Sequence, residues 1–94
     1  MNSTYEVWEN RYKTNGNSGN GSYGLLADFK AKIINLFIEN NNINSIIELG
    51  SGDGNQCSLF NVKNYLGLDI SPTIIEHCKN IFKNQKNYEF KIYN

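Results

Sequence analysis

Glu48, Gly50, Gly52, Asp53, Gly54 and Asp69 are the residues whose types and spacing could do chemistry in this chain. The three glycines follow a GxGxG spacing directly after the short apolar run Ile46-Ile47-Glu48-Leu49. Glycine permits a positive φ in a tight turn and removes the Cβ that would hold a ligand away from the backbone. The amides from Asp53 to Gln56 then open a predicted helix, whose N-terminus favours a negative group. Asp69 lies nineteen positions after Gly50, near the end of the next apolar run, Tyr65 to Ile70. An ionised Asp is acceptor-only with room for two donors, so a carboxylate in that place can take both hydroxyls of a ribose. Together these residues suit a nucleoside cofactor lying across the carboxyl ends of two neighbouring parallel strands.

The details narrow the cofactor. A dinucleotide fingerprint GxGxxG needs its third glycine at position 55, which is Asn55. Asp53 inside the turn repels a pyrophosphate, and the phosphate-cradling GxxxxGK[ST] is absent. A cofactor without phosphate and with a positive sulfonium suits Glu48 and Asp53 better. A nicotinamide- or flavin-binding half of the same fold stays as a weaker alternative, with Asn55 against it.

IIELGSGDGNQ followed by YLGLDIS resembles the first two cofactor motifs of the class I S-adenosylmethionine-dependent methyltransferases. The amino-terminal YEVWENRY, with GSYGLLADFKAKIINLFIE after it, resembles the segment that leads into that domain in many members. The resemblance implies S-adenosyl-L-methionine as cofactor, the glycine turn near its methionine part and Asp69 on its ribose. By that match Glu48, Gly50, Gly52 and Gly54 line the cofactor, and Ser51, Asp53 and Ile70 are neighbours. Ser51 stands where the family often has Gly, Cys or Ala. The implied activity is methyl transfer to a small-molecule or glycan-type acceptor. The family's catalytic and substrate elements follow its third strand, where this chain ends, so no side chain here is assigned a catalytic role. The other reading is a catalytically inactive half-domain or interaction subunit. In the family the first strand lies inside a longer sheet; here it becomes an open edge, through which self-association or a partner is expected.

The elements that position these residues follow from periodicity. Tyr5 to Tyr12 predicts a short helix with Tyr5, Trp8 and Tyr12 on one face; Trp8, Arg11 and Tyr12 read as packing and surface residues. Thr14 to Gly24, with four glycines among small polar residues, reads either as a flexible linker or as a loop that orders over a ligand. Leu25 to Glu39 predicts a helix whose Leu26, Phe29, Ile33, Leu36 and Phe37 face the core. The Asn40–Asn44 run ends it. Ser45 to Leu49 predicts a strand buried on both faces, and Asn55 to Phe60 a brief helix. Ser71 followed by Pro72 starts a helix that runs to about Lys83, with Ile74, Ile75, Cys78, Ile81 and Phe82 on its inner face. Tyr88 to Tyr93 alternates as a third strand. The expected fold class is α/β: a Rossmann-like parallel sheet ordered 3-2-1, helices on both faces, and an amino-terminal helical segment. Residues 1–24 form that segment with its loop, and 25–94 the cofactor-binding half of a single partial domain.

Composition sets the outer limits. Ninety-four residues make one small domain, which buries only about 60–65% of the surface its unfolded chain exposes. Formal net charge is zero, so no basic face for nucleic acid is expected. The apolar runs are far short of the ~20 residues of a membrane span. Met1 to Asn10 is polar and carries Glu6 and Glu9, unlike a secretory leader. Cys57 and Cys78 have no ligand spacing, and the single His77 adds none, so no metal site is expected. Free thiols fit a cytoplasmic location.

Overall fold

A computed structural model of the chain describes residues 3–93 and, for Asn20, the backbone alone; Met1, Asn2 and Asn94 lie outside the described residues. Among the described residues three α-helices and three strands follow one another in the order α1 (Thr4–Lys13), α2 (Gly24–Asn40), β1 (Ser45–Leu49), β2 (Asn64–Asp69), α3 (Pro72–Ile81) and β3 (Tyr88–Ile92). The strands form one parallel sheet in the order β1-β2-β3, with Ile47 beside Leu66 and Leu66 beside Glu89. This is an α/β, Rossmann-like arrangement. No helix among the described residues is long and apolar enough to cross a membrane.

Local chemistry sets the helix ends. Ser3 Oγ accepts the Glu6 N–H (3.2 Å) at the start of α1. Ser71 Oγ accepts the Ile74 N–H (3.3 Å) at the start of α3, with Pro72 in the first turn. The Asn run ends α2 as expected: Asn41 N–H returns to the Phe37 carbonyl (3.1 Å) and Asn42 takes φ 53°.

The core fills one face of the sheet. Tyr65 and Phe90 point into it with Ile74, Ile75, Cys78 and Phe82 from α3, Ala31 and Ile38 from α2, and Cys57, Phe60 and Val62 from the β1–β2 connection. Four aromatic rings interlock there, Tyr65 on Tyr88 (4.9 Å), Tyr88 on Phe82 (5.2 Å) and Phe82 on Phe90 (5.1 Å). Residues alternate across a strand, so Ile47, Leu49, Leu66, Leu68, Glu89 and Lys91 share the opposite face. That face is open: Ile47 and Leu49 are 67% and 66% exposed. The helices therefore pack on one face where two were expected, and β1 is not buried on both.

Two further expectations are corrected. Leu26, Phe29, Ile33, Leu36 and Phe37 of α2 are 49–63% exposed, and α2 instead buries Ala27, Ala31 and Ile38. Polar clasps choose this face. Gln56 Nε2 donates to the Ala27 carbonyl (3.1 Å), Asn35 Nδ2 donates to the Leu59 carbonyl (2.9 Å), and Asn35 Oδ1 accepts the Asn61 N–H (2.7 Å). The small Ala27 and Ala31 let the backbone come close enough for them. On α3, Phe82 is buried but Ile81 is exposed, because the helix ends at Ile81 and the chain turns away. Ile75→Ala is expected to lower unfolding free energy by about 2–4 kcal/mol. Ile81→Ala should change it by less than about 0.5 kcal/mol. Urea denaturation at unchanged m-value measures both.

Candidate functional site

The glycine turn is anchored before it is available to a ligand. Gly50 and Ser51 both donate their N–H to the Leu68 carbonyl (2.7 and 3.0 Å), which ties the end of β1 to the end of β2. Asp69, almost fully buried, accepts the Gly52 N–H on Oδ2 (2.9 Å) and the Ser71 N–H on Oδ1 (3.1 Å). One carboxylate thus joins the turn to the start of α3. Gly50 takes φ 73° and a Cβ there would meet nothing within 4 Å, so the backbone is bare on that side.

The helix predicted after the turn shrinks to one 3-10 turn, Cys57–Leu59. The amides in front of it are already used: Asp53 N–H donates to Ser18 Oγ (2.7 Å) and Asn55 N–H to Asp53 Oδ1 (3.1 Å). No long helix dipole is left to draw an anion.

The segment from Asn15 to Tyr23 is hydrogen-bonded to the turn and does not run as a loose linker. It forms a strap over the turn. Ser18 N–H donates to Asp53 Oδ2 (3.0 Å), and Tyr23 OH donates to the same oxygen (2.5 Å). Ser18 Oγ also shares a hydrogen bond with Tyr12 OH (2.9 Å). Burial and the Asp53 carboxylate push the Tyr23 phenol up to about 12. Ser18 is seated so close to Gly52 that a Cβ at position 52 would collide with it, and Gly52 holds φ 62°.

Helix α1 forms the remaining wall. Trp8 stacks on Tyr12 (5.8 Å between centroids), and the Arg11 guanidinium lies 5.3 Å from the Trp8 ring. Buried Glu9 fixes the helix: its Oε1 accepts the Ser71 hydroxyl and the Thr73 N–H (3.2 Å), and its Oε2 accepts the Thr73 hydroxyl (2.9 Å). Burial pushes the Glu9 carboxyl up, but these hydrogen bonds and Lys13 outweigh it and hold it below the ordinary 4.5.

A cleft of about 500 Å³ opens between α1 and the carboxyl ends of β1 and β2, lined by Trp8, Tyr12, Gly50, Gly52, Asp69 and Ile70. Four of the sequence-predicted residues meet there. Asp53 and Gly54 lie on the other side of the strap, in a second cleft of about 480 Å³ with Tyr23, Asn55 and His77. Ser51 is buried behind the turn, its Oγ 2.9 Å from where a Cβ on Gly67 would stand. Glu48 turns toward the core and accepts Tyr65 OH (2.5 Å); burial pushes its carboxyl up, against that hydrogen bond and the Lys30 charge. Trp8, Tyr12 and Ser18 were not singled out for this site by sequence. Their signal was weak: two aromatics four apart, just ahead of the glycine-rich strap.

Cys57 and Cys78 are buried free thiols that donate to the Gly54 and Gly52 carbonyls (3.4 and 3.3 Å). Burial pushes both up to about 12, so they act as packing groups beneath the turn. Among the described residues no group of His, Cys, Asp and Glu could hold a metal ion.

A group held below its unfolded value stabilises the fold when ionised and loses that contribution as pH falls through its folded value. Glu9 is therefore expected to make stability decline as pH drops below 4.5. Glu9→Gln should be less stable at pH 7 and show a shallower acid decline, read by thermal unfolding from pH 7 to pH 3.

No family model and no curated protein matches the sequence. Among the solved structures similar to it are two of methyltransferases. One is a caffeoyl-CoA O-methyltransferase-like protein from Staphylococcus aureus, at TM-score 0.63 and 19% identity over 99% of this chain and 45% of that one. The other is the trans-methyltransferase CalH in complex with SAH, at TM-score 0.51 and 25% identity over 76% of this chain and 25% of that one. The chain spans less than half the length of either. Over the part it spans, it has the fold of the class I methyltransferases.

Proposed function

We propose that the cleft between α1 and the glycine turn binds S-adenosyl-L-methionine, and that this chain is the cofactor-binding part of a methyltransferase acting on a small-molecule or glycan-type acceptor. The observation that carries this reading is the bare backbone at Gly50 beside the buried Asp69 carboxylate, in a cleft of about 500 Å³. That volume lies within the usual range for small-ligand sites, roughly 300–1,000 Å³. The CalH complex with SAH adds support, because it holds that ligand type on a similar fold.

The residues present fit the cofactor's chemistry. Each Asp69 oxygen accepts one backbone N–H and keeps a further lone pair, which serves a ribose hydroxyl. Gly50 lets the ligand lie against the backbone without a Cβ between them. Trp8 and Tyr12 offer aromatic faces to an adenine or to the sulfonium. Ser51, Asp53 and Gly54 act from behind, by shaping the turn and holding the strap. Glu48, bonded to Tyr65, contributes negative charge at a distance. When bound, the cofactor supplies an electrophilic methyl group. The chain's own part is to hold and orient it, the proximity contribution to catalysis.

Calorimetric titration with S-adenosylhomocysteine is expected to give saturable binding to the folded chain. Gly50→Ala places a Cβ in the cleft at a positive φ and should weaken binding at least about tenfold. The backbone strain alone should cost about 1–2 kcal/mol of stability, which thermal unfolding separates from the binding effect. No heat at millimolar ligand with a folded sample would overturn the proposal.

A further inference from the structure

The charged side chains sort by end of the sheet. Two clefts lie where the strands begin. One, of about 680 Å³, is lined by Lys32 and Lys63 with Glu39, Asn42, Asn44 and Asn61. The other, of about 370 Å³, is lined by Lys79, Lys83, Lys86 and Lys91 with Gln85 and Glu89. The strand starts between them are tied side by side. Asn64 N–H donates to the Asn44 carbonyl (3.0 Å), Tyr65 N–H to the Asn87 carbonyl (2.8 Å) and Asn87 Nδ2 to the Lys63 carbonyl (2.6 Å). At ordinary strand spacing the three starts span about 10 Å.

These two linings hold six of the chain's nine basic side chains and two of its nine acidic ones. The clefts on either side of the strap are lined by Asp53 and Asp69 and by no Lys or Arg. Formal neutrality predicts no basic face, but the fold separates the charges and builds one. All six lysines are exposed. Among the described residues only Lys91 of the six has a carboxylate partner, Glu89 at 4.0 Å. Clefts lined by one sign of charge concentrate its field and draw in the opposite sign.

The chemistry of the band selects among anionic partners. Protein interfaces are depleted of Lys and built around aromatic and Arg anchors. Here Phe82 and Phe90 are buried, and Tyr88 OH is spent on the Cys57 and Phe60 carbonyls (3.2 and 3.3 Å). A bilayer surface is flat, whereas these lysines line two neighbouring clefts. Asn and Gln side chains beside the lysines suit phosphate oxygens, which they can bind without reading a base. A duplex is stiff over about 150 bp, so a flexible single strand is the form that follows two clefts.

We propose that this lysine band binds the phosphate backbone of a single-stranded nucleic acid, without regard to base sequence. The linings carry no exposed aromatic ring on which bases could stack. Attraction therefore comes from counterion release and falls steeply with salt. The band shares no lining residue with the cofactor cleft, so the proposal stands or falls independently of cofactor binding.

Fluorescence polarisation of a labelled oligouridylate with the full chain, from about 20 to about 200 mM salt, tests it. The logarithm of the binding constant is expected to fall linearly with that of salt, at a slope of about −2 to −4. Lys83→Gln with Lys86→Gln should flatten that slope by about 1.4, at about 0.7 for each lysine. Lys32→Gln with Lys63→Gln should do the same in the other cleft. Lys13→Gln with Lys30→Gln removes equal charge outside the band and should leave the slope unchanged. All six positions are exposed, so each variant should keep the circular dichroism spectrum of the unsubstituted chain. No polarisation change at about 20 mM salt and about 100 μM protein would overturn the proposal. So would a slope indifferent to the band substitutions, or binding to phosphatidylserine vesicles with none to the oligonucleotide.

Discussion

The Asp69 carboxylate at the end of β2 accepts one N–H from the glycine turn and one from the start of α3, and the rest of the site depends on that bridge. Oδ2 holds Gly52 and Oδ1 holds Ser71. Without the carboxylate, two buried N–H groups would lack partners, at about 1–3 kcal/mol each. The turn would lose its tether to β2's end, and Ser71 would lose the backbone position from which its hydroxyl caps α3. Ser71 in turn is the group on which Glu9 closes, so α1 is fixed through the same chain of contacts. Strand end, glycine turn, α3 and α1 are thereby coupled through two buried carboxylates and one serine. A network of this kind specifies geometry more than it adds stability, because each member is costly to leave unpaired.

This arrangement explains why a helix with little apolar burial of its own stays in place. α1 buries Glu9 and Tyr12, and it docks by hydrogen bonds to the first turn of α3. A carboxylate at a helix N-terminus satisfies orphan amides and meets the positive end of the helix dipole. Docking by polar contacts sets the rotation of α1 about its axis, and that rotation puts Trp8 and Tyr12 on the cleft. Tyr12 then reaches Ser18 and extends the network into the strap.

Elements with strong local signals were legible in the sequence. The Ser71-Pro72 start, the Asn41-Asn42 stop, the three strands to within a residue and the parallel order follow from capping, turn chemistry and alternation. So did the cluster of Gly50, Gly52, Asp69 and Ile70 around one cleft. What was not legible depended on contacts between segments far apart in the chain. The apolar stripe of α2 has clear helical period, but period says only which residues share a face. Gln56 and Asn35, through bonds to Ala27, Leu59 and Asn61, decide which face is buried. The strap is the same case. Its small polar residues look featureless locally, and only the reciprocal Ser18–Asp53 bonds give them an order.

That strap changes the meaning of Asp53. Read as part of a glycine turn, it is an acid that excludes phosphate. In the folded chain its carboxylate is already occupied by Ser18, Tyr23 and Asn55, and it faces away from the Gly50 side. Gly52 is covered by Ser18, while Gly50 is open. The two glycines therefore have different duties. Gly52 lets the strap close on the turn, and Gly50 leaves its backbone bare toward the cleft. Both glycines line the cleft between α1 and Asp69, but the side of Gly52 on which a Cβ would stand is filled by Ser18. Ser18 is kept in that position by its hydrogen bonds with Tyr12 and Asp53, so the same contacts that close the strap require glycine at position 52.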